Sequence, residues 1–116
     1  MFSGRVVVHP GAQKTDAVQE DKNLILSEGA EADSKPSLEI LADDVKCKHG
    51  ATAGQIDLDT LFYMRARGLD VETAGSMLIH AFANEIVNGV PIEQYSEYLR
   101  EYTEKLLPEF KLEVSL

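Results

Sequence analysis

The feature that most constrains this chain is a change of hydrophobic period just after Gln55. Before it, apolar residues fall two apart in short bursts: Val6 and Val8, Leu24 and Leu26, Ala30 and Ala32, Leu38 and Ile40, then Val45 and Cys47. A two-residue spacing lines one face of an extended chain, so the bursts predict strands. Pro10-Gly11-Ala12, Glu20-Asp21-Lys22-Asn23, Ser27-Glu28-Gly29 and Asp33-Ser34-Lys35-Pro36-Ser37 read as the turns between them. Strands this short suit a sandwich, a small barrel or a wound parallel β-helix, and periodicity does not choose among these.

After Asp57 the spacing lengthens to three and four. Asp57 predicts the N-cap of a helix bearing Leu58, Leu61, Phe62 and Arg65, with Gly68 closing it behind Arg65 and Arg67, cations well placed for the helix dipole. Asp70 predicts the cap of a second helix, whose apolar stripe is Val71, Ala74, Met77, Leu78, Ala81, Phe82 and Ile86, stopping near Gly89. Pro91 suits the first turn of a third, carrying Ile92, Tyr95, Tyr98, Leu99, Tyr102 and Leu106 and ending before Pro108. The three tyrosines read as an inward stripe with wet hydroxyl ends, leaving a partner surface as the other reading, and Glu93, Glu97, Glu101 and Glu104 as an acidic solvated face. Phe110, Leu112 and Val114 alternate with charged residues and suggest a short final strand. The expected fold is β plus α: an all-β part over residues 1–56 and a small three-helix domain over 57–116.

Charge narrows the partners. With 20 acidic against 11 basic side chains the net charge is -9, which disfavours nucleic acid and anionic membrane surfaces. No apolar run approaches the roughly 18 to 20 residues that span a bilayer, and the first residues lack a signal-peptide core, so a cytoplasmic protein is expected. The one cysteine, Cys47, cannot form an internal disulfide and reads as a reduced thiol.

In an extended stretch, Val45, Cys47 and His49 point to one face and Lys46 and Lys48 to the other. A thiol and an imidazole in one patch can serve a soft metal, a sulfur transfer, or packing alone, and two protein ligands are too few for a closed metal site. Without further context a lone strand cysteine is more often a small buried hydrophobe, and a histidine before glycine more often fixes a turn. His9 and His80 read as structural or solvent-facing, and Asp43 and Asp44 as turn residues. A nucleophilic Cys47 with His49 as its base would need a bend near Gly50, because residues two apart on a strand lie roughly 6.5 to 7 Å apart, and no orienting third residue is evident.

The run Ala12–Ala17, then Asn23–Ser27, Lys35–Ile40 and Ala42-Asp43-Asp44-Val45-Lys46-Cys47-Lys48-His49-Gly50-Ala51-Thr52, continued by Leu61–Leu69, closely resembles the SufB/SufD family of iron-sulfur cluster assembly proteins, and the form Val-Lys-Cys-x-His-Gly-Ala-Thr is more similar to the SufD branch. The resemblance spans roughly residues 2–90. It implies that the strands are the last coils of a right-handed parallel β-helix and that the helices dock a SufC-like ATPase, with Leu61, Phe62, Arg65 and Arg67 as the contact. It also implies a nascent iron-sulfur cluster shared transiently with a SufB-like scaffold subunit, to which this chain brings His49 and Cys47, an incomplete site that binds no cluster in the isolated chain. The function so implied is that of a non-catalytic scaffold subunit; the alternatives are a thiol-dependent sulfur-transfer enzyme and a purely structural interaction module. The sequence has no phosphate-binding G-x-x-x-x-G-K-[ST] loop, so ATP hydrolysis is expected from a partner. Family members are several times longer, so the chain reads as their C-terminal portion, and an uncovered first coil leaves self-association open as a further contact.

Overall fold

The computed structural model describes residues 1–107. Four strands come first, β1 (Phe2–Val8), β2 (Asp16–Ile25), β3 (Ser34–Ile40) and β4 (Lys46–Gln55), followed by three helices, α1 (Leu58–Ala66), α2 (Val71–Val87) and α3 (Glu93–Leu106). The mixed β plus α character expected from the change of period is therefore what the chain adopts. The tail residues Phe110, Leu112 and Val114 lie outside the described residues. The chain divides into two compact units, one of residues 1–25 and 31–54, the other of residues 26–30 and from 55 on.

In the first unit no strand pairs with its neighbour in sequence. β1 pairs with β3 in parallel, from Phe2 opposite Ser34 to Val8 opposite Ile40, and β2 pairs with β4. At one end of that second pair the Lys14 amide donates to Asp44 O (2.6 Å) and the Lys46 amide to Thr15 O (2.8 Å). Farther along, Asn23 Nδ2 donates to Thr52 O (3.2 Å), so β2 and β4 also run in the same direction. Parallel strands cannot be joined by a tight hairpin; the chain must travel before it returns, and here the intervening strand makes that journey. Each sheet has two strands and open outer edges among the described residues.

Two segments expected to be turns are strand. Glu20–Asn23 lies inside β2, and Ser34–Ser37 opens β3. The alternation is present in both, but most of its half-buried members are polar, Gln19, Asp21 and Asn23 on β2 and Ser34 on β3, where Pro36 is the next. Asn23 Nδ2 donates to Asp21 Oδ2 (3.0 Å) and Ser34 Oγ (3.3 Å), and Ser34 Oγ donates to Asp21 Oδ2, so these three satisfy one another, whereas Gln19 Oε1 is buried with no partner among the described residues. Pro36 is tolerated because β3 pairs only on its β1 side and an edge strand can spare an amide donor. No strand forms at Ala30 and Ala32.

In the helical unit, α2 packs against both α1 and α3. Its buried side is Ala74, Gly75, Ile79 and Val87, while Met77 and Ile86, expected inside, are exposed. Met77-Leu78-Ile79 is apolar all round, so periodicity left the angle of the face open, and small residues at 74 and 75 let the neighbouring helix approach. Pro91, expected in the first turn of α3, lies just before it: Ile92 is the N-cap and the helix begins at Glu93, with Ser96 Oγ donating to Val87 O (3.1 Å).

Both aspartate caps form. Asp57 accepts from the Asp59 amide (3.2 Å) and from Thr60 Oγ1, and Asp70 from the Thr73 amide (2.8 Å) and Thr73 Oγ1 (2.7 Å). Gly68, in the left-handed region at φ 98°, ends the turn after α1. The hydrogen bond from Thr60 Oγ1, with the Asp59 amide, lowers the Asp57 pKa, and the Thr73 amide and hydroxyl lower that of Asp70. A carboxyl lowered on folding contributes stability that is whole above its unfolded value, about 3.9, and is lost as pH falls through the folded value. Helical circular dichroism under mild denaturant should therefore fall off below about pH 4, and Asp70→Asn, which keeps an oxygen cap but cannot titrate, should flatten that limb. Identical acid limbs in both proteins would count against it.

Candidate functional site

Cys47 and His49 both lie in the first half of β4. The loop before them is held against the entry to β2: the Asp44 amide donates to Gln13 Oε1 (2.8 Å), and Lys14, at φ 64°, forms an ion pair with the Asp44 carboxylate. Thr15 Oγ1 donates to Ala12 O (2.8 Å). Asp44 is thus a turn residue, as expected, and its carboxylate is taken by Lys14. Lys14, Thr15, Asp16, Asp44, Val45 and Lys46 line an open hollow of about 270 Å³ beside the strand's start.

The alternation predicted for the motif is visible in its burial. Val45 and Cys47 are half-buried and Lys46 and Lys48 exposed. His49 departs from it. From Lys48 to Gln55 every residue of β4 is exposed, so neither face of that stretch is covered by the described residues. Gly50 and Gly54 have open space where a Cβ would stand. The result is a strand with a partly accessible thiol and a solvent-facing imidazole at its start, then small residues, then a free edge. Such an edge offers backbone donors and acceptors to another chain.

The donor set suits a soft or borderline metal, since thiolate and imidazole are both good ligands for iron. It is incomplete. Among the described residues no group of three or more His, Cys, Asp or Glu side chains could hold a metal ion. His80 is half-buried on α2 and His9 is exposed after β1, and neither is part of such a group.

Of the four residues expected at a helical docking surface, three are accessible. Phe62 is 73% exposed, and Arg65 and Arg67 are exposed at the end of α1. Arg67 Nη2 donates to Tyr63 Oη (2.6 Å) and its guanidinium sits 5.1 Å from that ring's centre. Leu61 is the correction. At 2% exposed it belongs to the core and offers a partner no surface, because it sits one residue from Phe62 and so about 100° round the helix. Of the two readings of Tyr95, Tyr98 and Tyr102, the inward stripe is not what α3 adopts: the three rings are exposed, and the helix settles on Ser96, Leu99 and Thr103, its half-buried positions.

Residues 1–82 match the family described as SUF system FeS cluster assembly, SufBD core domain. The chain is 46% identical over 101 residues to an iron-sulfur cluster assembly SufBD family protein of Synechocystis, covering 87% of this chain and 22% of that protein. It is 47% identical over 90 residues to the iron-sulfur cluster assembly protein SufD of Escherichia coli (78% and 21%) and 38% over 99 residues to SufD of Bacillus subtilis (85% and 23%). The chain thus spans about a fifth of the length of these relatives.

Proposed function

Since the chain belongs to the SufB/SufD family, we propose that it serves iron-sulfur cluster assembly in the SUF system as a SufD-like scaffold portion, with no turnover of its own. On this reading residues 1–56 are the last coils of a right-handed parallel β-helix, β3 lying on β1 and β4 on β2, and residues 57–116 are the helical domain. The alternate-strand, parallel pairing supports the winding, because each two-strand passage returns the chain onto the one before.

The observation that carries the proposal is the open stretch of β4. A SufB-like subunit adds along that exposed strand and completes a shared site to which this chain brings Cys47 and His49. The nascent cluster is cargo, held transiently. Clusters typically take about four ligands, and this chain offers two. The Cys47 thiolate donates sulfur to iron, the neutral His49 ring donates one nitrogen, and the partner supplies the remainder. A SufC-like ATPase docks on α1 through Phe62 as an apolar anchor with Arg65 and Arg67 beside it.

Co-expression with SufB-like and SufC-like chains tests this. The three should purify together, and Phe62→Ser should release the ATPase while leaving the SufB-like chain bound. Recovery of this chain free of both partners would end the proposal.

A further inference from the structure

Helix α3 carries two adjoining stripes that nothing within the described residues covers. Tyr95, Tyr98 and Tyr102 recur at i, i+3 and i+7 and are 63%, 63% and 52% exposed. Glu97, Glu101 and Glu104 form the stripe beside them, with Glu93 one turn earlier. None of the four glutamates has an ion-pair partner among the described residues. Of the cations on this helix, Arg100 is turned to Asn88 Oδ1 (3.3 Å), and Lys105 stands alone against four carboxylates. The Tyr98 and Tyr102 rings lie stacked, centroids 6.4 Å apart at 18°, so two aromatic faces are presented together. Behind the acidic stripe a hollow of about 290 Å³ is lined by Val90, Pro91, Glu93, Ser96, Glu97 and Arg100, room for one long side chain.

Aromatic faces beside unpaired carboxylates suit guanidinium groups, which stack flat on a ring while donating to acids at the edge; an ammonium does the second but stacks less well. The chain already makes the ring half of this contact once, Arg67 lying over Tyr63 and donating to its hydroxyl. We propose that the Tyr95–Tyr98–Tyr102 face of α3 docks an arginine-bearing helix of a partner protein. Charge argues against the other occupants. The chain's own residues 108–116 bring Glu109 and Glu113 against Lys111, and a second copy brings a net charge of -9. The inference stands apart from the proposed function, because none of its residues belongs to the β4 site or to the Phe62 surface.

A fluorescent alanine-based helix of about 20 residues, with arginines spaced three and four apart, is the probe, and its lysine twin the control. Anisotropy titration of the full chain should show saturable binding of the arginine peptide that weakens as salt rises. Tyr98→Ala and Tyr102→Ala should each lower affinity roughly two- to fivefold, and the lysine peptide should bind more weakly by a similar factor. The helical circular dichroism of both variants should match the parent, since the rings are exposed. Equal affinity in the tyrosine variants, or no preference for arginine over lysine, overturns the proposal. So does binding that appears only after removal of residues 108–116, which would make the tail the occupant, or a dimer that Tyr98→Ala dissolves, which would make it a second copy.

Discussion

Alanine at Cys47 or at His49 should lower the yield of cluster assembled on the complete complex by at least roughly tenfold, while leaving the complex itself intact. The magnitude follows from what outer partners are worth: removing a group that merely orients a metal ligand costs about 10- to 100-fold in affinity or activity, and removing the ligand should cost no less. Neither side chain is needed for folding. His49 is solvent-exposed, Cys47 is only half-buried, and β4 is held by backbone pairing to β2. The measurement is iron and sulfide content after anaerobic reconstitution with the SufB-like and SufC-like chains, alongside size-exclusion profiles. Loss in Cys47→Ala alone, with sulfur delivery abolished, would move the reading to a sulfur-transfer enzyme. Unchanged yield in both variants would leave only a structural module.

Leu61→Ala and Phe62→Ala, neighbours in sequence, should have opposite consequences. Leu61, on α1, is 2% exposed, and truncating a buried leucine removes its transfer free energy and leaves a cavity, costing about 2–5 kcal/mol. In a helical unit whose buried side chains, among the described residues, are Ile56, Leu61, Ala74, Ile79 and Val87, that is enough to melt much of the helical signal at moderate temperature. Phe62→Ala removes a ring that is 73% exposed and should shift stability by no more than about 0.5 kcal/mol while abolishing retention of the ATPase. Urea titration followed by circular dichroism, with a pull-down on the same samples, separates the two. A Leu61→Ala midpoint equal to the parent's would show that this side chain is not core.

The helices were legible because their ends are chemical. Asp57 and Asp70 cap as read, and Gly68 adopts the left-handed conformation that its position after α1 required. The burial angle of α2 and the side on which α3 rests were not legible. Both helices carry more apolar or aromatic surface than their neighbours can cover, and which part is covered depends on the packing partner. The strands divide the same way. β1 is visible through Val6 and Val8, but the middle of β2 hides its alternation because the half-buried positions there are the polar Gln19, Asp21 and Asn23, with no hydrophobic contrast to read. The second half of β4, Gly50-Ala51-Thr52-Ala53-Gly54, has poor strand propensity and forms by pairing to β2, a contact made across nearly thirty residues of chain.

At the candidate site, the pairing of a thiol with an imidazole two residues on was determined by sequence alone, as was the change from strand to helix near residue 56, because each depends on neighbours in the chain. Tertiary structure decided that the described residues leave the strand bearing them uncovered beyond Cys47, that Leu61 turns inward while Phe62 stays out, and that three tyrosines are exposed. Local sequence sets which conformations a segment favours; exposure depends on which distant segments arrive to cover it, and those contacts have no signature in the spacing of neighbours.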